Sequence, residues 1–133
     1  MKLKIYAVLA ILSFFFCVEA SAQQQSEVDV YERAEQEADR LQRLLGLEDW
    51  QTFYVDSTLK HDLPAMMKEI EGLRNAKVSN NMMYVTVQDK WLEQIDITYK
   101  RIFDENQWAA YLKTGAAKVQ KARDKRKQKA AGK

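Results

Sequence analysis

Residues 31–51 read YERAEQEADRLQRLLGLEDWQ, and they hold the main structural rules of the chain. Tyr31, Ala34, Ala38, Leu41 and Leu45 recur at spacings of three and four, as one buried face of a helix requires. Gly46 follows where a helix commonly ends in a left-handed residue. Leu47, Glu48 and Gln51 then start a second helix; glutamate is a poor cap, and Asp49 with Thr52 is the alternative start. Ser26 is expected to cap the first helix, with Asp29 three residues on.

Downstream the same period continues. Val55, Leu59, Leu63, Met66, Ile70 and Leu73 form one stripe through Pro64, which predicts a helix bent near residues 61–65. Asp62 stands where it would cap amides freed by the proline. Residues 75–81 are a polar loop. A third helix is expected from Asn81 to Ile102, with Tyr84, Val87, Trp91, Ile95, Thr98 and Ile102 on its inner face. Its opening Met83–Val87 is rich in β-formers, but the stripe favours helix. A fourth helix begins after Asp104 and carries Trp108, Tyr111, Leu112, Ala116 and Val119. With one proline and four glycines there is little material for a turn-rich sheet. The expected fold is all-α, about four helices and no β-sheet.

The two ends of the chain differ from its body. Lys2 and Lys4 precede an apolar run from Ile5 to Val18, and Ala20-Ser-Ala22 is a small-x-small site. This is the layout of a secretory signal cleaved after Ala22, and the run is shorter than the about 20 residues a membrane span needs. Phe16 before Cys17 does not suit lipid attachment, and residues 23–133 contain no cysteine for a disulfide. An exported, periplasmic location is expected. Residues 23–117 form one helical domain with an excess of acids. Residues 118–133 form a basic tail, helical or disordered, in which Lys118, Lys121, Arg123, Lys125, Arg126, Lys127, Lys129 and Lys133 face the single acid Asp124. Such a tail either complements a helix C-terminus or contacts anionic lipid, cell wall or an acidic client. Nucleic acid is not an expected partner of an exported chain.

Catalytic chemistry is sparse. His61 is the single histidine, and a lone helical His is more often a structural or surface residue than a catalyst. Asp89, Glu93 and Asp96 line a helix edge without the Glu-x-x-His partner of di-metal bundles, and are expected to be a solvated acidic face. His61, Met66 and Met67 are the candidates for a soft-metal site, with Met82 and Met83 across the loop, but Met66 already belongs to the apolar stripe. No cofactor and no enzymatic activity are expected.

The second helix-starting motif is Phe103-Asp104-Glu105-Asn106-Gln107. Asp104 and Gln107 have the spacing of a capping box, with Phe103 as its staple. Leu47 to Gln51 repeats the scheme. This pair, an apolar residue followed four positions on by glutamine at two helix starts, resembles the LTxxQ motifs of the Spy/CpxP-like periplasmic proteins, in versions of the Bacteroidetes type. Both copies lack the threonine, and the second has Phe for Leu. The resemblance spans roughly residues 30–120. It implies kinked long helices in an antiparallel hairpin layer, a homodimer, and an ATP-independent chaperone or envelope-stress adaptor that binds unfolded or envelope protein clients. Sensor and metal-binding members make metal sensing an alternative. The motif residues Leu47, Gln51, Phe103, Asp104 and Gln107 themselves look structural.

Overall fold

The computed structural model describes residues 23–132, so the expected signal segment and Cys17 lie outside the described residues. Three long helices follow one another: α1 (Gln23–Leu45), α2 (Asp49–Asn75) and α3 (Asn81–Ile102). A fourth rod comprises α4 (Glu105–Tyr111) and α5 (Ala117–Ala131), joined by a wide π turn over Leu112–Ala116. No strand occurs among the described residues, and Met83–Val87 lies within α3. The fold is all-α.

Each corner has a local cause. Gly46 adopts φ +65°, and Leu47 N–H bonds Gln42 C=O at 3.1 Å, the long-range closure of a left-handed helix stop. Leu47 then enters the same buried cluster as Leu41. At the start of α3, the Asn80 side chain accepts from Met82 N–H at 3.0 Å. The α1 backbone is already helical at Gln23, so Ser26 lies inside the helix and is not its cap. Glutamine is a good helix former, and three of them precede Ser26.

α1 packs on α2, α2 on α3, and α4 reaches back to α1. The core joins Ala34, Ala38, Leu41 and Leu45 of α1 to Val55 and Leu59 of α2. Ile95 and Tyr99 of α3, with Leu47 and Phe103 from the corners, complete it. Val30, not Tyr31, continues the α1 face: Val30 is buried and Tyr31 is 42% exposed. A tyrosine tolerates a half-exposed flank because its hydroxyl favours water. On α2, Met66 and Ile70 extend the buried stripe. Pro64 sits inside α2 without ending it. Asp62, buried beside it, accepts from His61 Nδ1 at 2.7 Å instead of capping an amide.

The basic tail is a helix through Ala131, and it packs beside α3. Gly115 has φ +112°, a conformation open only to glycine, and interrupts the fourth helix expected to carry Trp108 through Val119. Arg123 Nη2 donates to Asp96 at 2.6 Å, and Arg126 grips Asp89 through two bonds of 2.7 and 2.8 Å. Lys127 pairs with Glu93. The acidic row of α3 is therefore not a solvated face. It is a ladder of carboxylates that holds α5, running in the opposite direction, against the body.

Candidate functional site

The two motifs meet. Gln51 and Gln107, 56 positions apart, are both buried and bond each other through both ends of their carboxamides, at 2.6 and 3.0 Å. Each oxygen also accepts the amide that opens its own helix: Glu48 N–H to Gln51 at 2.8 Å, and Asp104 N–H to Gln107 at 3.0 Å. Each nitrogen in turn donates to the other corner's main chain. Gln51 reaches Ile102 C=O at 2.8 Å, and Gln107 reaches Gly46 C=O at 3.2 Å. All four bonding positions of each carboxamide are thus used, which satisfies a polar pair inside a core.

The remaining motif residues serve this joint. Leu47 and Phe103 are buried staples in the common core. Asp104 completes its box by accepting Gln107 N–H at 2.7 Å. Glu48 is the equivalent cap, not Asp49, and forms a capping box with Gln51; its carboxylate also receives the Trp50 indole N–H. The Phe103 staple belongs to an aromatic cluster in which Tyr99 stacks on it (5.1 Å between centroids) and meets Tyr111 edge-on (5.4 Å). Tyr111 donates its hydroxyl to Asp96 at 2.7 Å, linking this cluster to the ladder under α5. Burial raises the Tyr99 phenol well above its ordinary value. It raises Tyr111 as well, reinforced by the Asp96 carboxylate.

The surface offers a different feature on the outer side of α2. Trp50, Phe53 and Tyr54 are half or more exposed, and their rings touch edge-on at 6.2 and 5.9 Å. Leu44, at the end of α1, is also exposed. Beside this ridge runs an open groove of about 360 Å³ between α1 and α2, lined by Phe53, Thr52, Glu35, Asp39, Asp49 and Asp56. Lys60 bridges Glu35 and Asp56 at 2.7 and 3.0 Å at one edge, and the Glu35 bond raises its pKa. Oδ1 of Asp56 is buried without a partner. An aromatic ridge flanked by carboxylates can hold an apolar, basic stretch of extended chain.

The soft-metal candidates do not share a surface. Met66 is 1% exposed within the apolar face, Met67 is half-buried, and His61 points outward with Nδ1 committed to Asp62. Among the described residues no cluster of three His, Cys, Asp or Glu has the arrangement of a metal site.

Sequence spacing could not separate the aromatics that build the core from those left outside. Trp50, Phe53 and Tyr54 at i, i+3 and i+4 have the helical period of a buried face, yet α2 turns its neighbours Gln51, Val55 and Leu59 inward. No family model matches the chain, and no curated protein or solved structure is significantly similar to it.

Proposed function

We propose that this chain is an exported, non-enzymatic protein that holds unfolded or envelope protein clients without nucleotide, as a chaperone or envelope-stress adaptor. The observation that carries the reading is the Trp50–Phe53–Tyr54 ridge beside its acidic groove. Three large aromatics grouped in water, on a fold that has a well-formed core, are the mark of a contact surface. Their surroundings favour weak, adaptable holding: apolar contact supplies attraction, and the groove's carboxylates select clients with basic segments. A homodimer in the periplasm belongs to the same proposal, and sedimentation velocity tests it directly.

The decisive measurement is light scattering from a chemically unfolded substrate diluted into buffer with the protein and no nucleotide. At stoichiometric amounts the wild type should suppress scattering. Trp50→Ser with Phe53→Ser should weaken suppression at least several-fold, while far-UV circular dichroism stays unchanged. Normal aggregation at a tenfold molar excess of wild type would reject the proposal.

A further inference from the structure

Helix α5 carries two cationic faces, and α3 uses only one of them. At 3.6 residues per turn, Arg123, Arg126 and Lys127 share an arc of roughly 100°, and this arc faces the carboxylates of Asp96, Asp89 and Glu93. Lys118, Lys121, Lys125 and Lys129 fall on an arc of roughly 80° on the far side of the same helix. All four are exposed, and none has an ion pair among the described residues. Asp124 lies to one side of the row. The row is about 16 Å long at 1.5 Å per residue, straight, and held on a fixed helix.

We propose that this lysine row is a docking surface for a membrane that carries anionic lipid headgroups. The charge is complementary, and the division of residue types selects the partner. Both arginines of α5, the residues suited to fixed bidentate recognition of phosphate, are spent on α3. What faces outward is lysine alone, a set of strongly hydrated point charges that gains from a diffuse field more than from shaped acceptors. The outward face carries no aromatic to stack on a base, as single-stranded nucleic acid binding requires, and no apolar residue to insert into acyl chains. A straight row on a rod fits a flat, fluid surface. Contact is thus peripheral and electrostatic, and it leaves the Trp50 ridge of α2 outside the docking row. The proposal is independent of the client-holding reading.

Each lysine near an anionic surface contributes about fivefold in partitioning, so the row should contribute on the order of a few hundred-fold. The test is flotation of the full chain with vesicles of phosphatidylcholine containing about a third phosphatidylglycerol, against pure phosphatidylcholine, at low and high salt. The variant is Lys118→Gln, Lys121→Gln, Lys125→Gln and Lys129→Gln together. The control of equal charge change is Lys68→Gln, Lys77→Gln, Arg101→Gln and Lys113→Gln, all exposed. Every chain carries the same N-terminal stretch, so its own affinity for vesicles cancels between variants. The expected result is salt-sensitive binding to the anionic vesicles that the row variant loses by a factor of at least about 30, while the control keeps most of it. Equal loss in both would assign the effect to net charge and overturn the proposal. Binding to polyglutamate or nucleic acid in place of anionic vesicles would overturn it as well.

Discussion

Gln51 and Gln107 place two neutral polar groups where a helical protein ordinarily places leucine. Their two carboxamides satisfy each other and four main-chain groups, so truncating one strands the other. Gln51→Ala or Gln107→Ala should each cost about 2–3 kcal/mol in urea unfolding. The double variant should cost at least about 1 kcal/mol less than their sum. A second residue-scale expectation concerns alkali. Above about pH 10 the unfolded chain releases its tyrosine protons while buried Tyr99 and Tyr111 keep theirs. The unfolded state then binds fewer protons, so stability falls with rising pH, by about 1.4 kcal/mol per unit for each such tyrosine. Unfolding followed by circular dichroism between pH 9 and 12 should show this slope, and Tyr99→Phe should flatten it. Much of this scale was legible in the sequence. Capping boxes and the Gly46 stop are local chemistry with fixed spacing, so LEDWQ and FDENQ announced two helix starts. That the two starts grip each other was not legible, because the bond spans 56 positions and spacing says nothing about partners so distant.

At the scale of elements, α5 depends on α3 more than on its own core. Its inner face buries an arginine, and ion pairs of unequal worth tie it to α3. Arg123 is 3% exposed and Asp96 accepts from both it and Tyr111, so Asp96→Ala strands a buried guanidinium and a part-buried hydroxyl. The expected cost is about 3–5 kcal/mol, with fast amide exchange over residues 117–131. Lys127→Ala, at a half-exposed pair, should cost less than about 1 kcal/mol and leave exchange in α5 near the wild-type level. The bounds of α3 and the stripes of α1 and α2 followed from the helical period. The docking of α5 did not. Asp89, Glu93 and Asp96 at spacings of four and three have the pattern of any solvated helix edge, and their cations lie 27 to 37 positions away. Gly115 was the one local sign, since a glycine inside a helix of strong formers often marks a change of direction.

For the whole molecule, the surfaces divide into an aromatic ridge with an acidic groove on α1 and α2, and a lysine row on α5. The acidic excess of residues 23–117 and the basic excess of residues 118–133 partly cancel within the fold, by the ladder, and what remains is displayed separately. The Gln51–Gln107 handshake has a consequence beyond stability. The two glutamines form a single heritable unit. A change at one leaves the other worse than neutral, so related chains should keep both or lose both, with an apolar pair filling the gap. The staples differ between the two corners, Leu47 at one and Phe103 at the other, whereas the glutamine is the same at both. A search for this paired signature, not for either short motif by itself, should separate true relatives from chance matches.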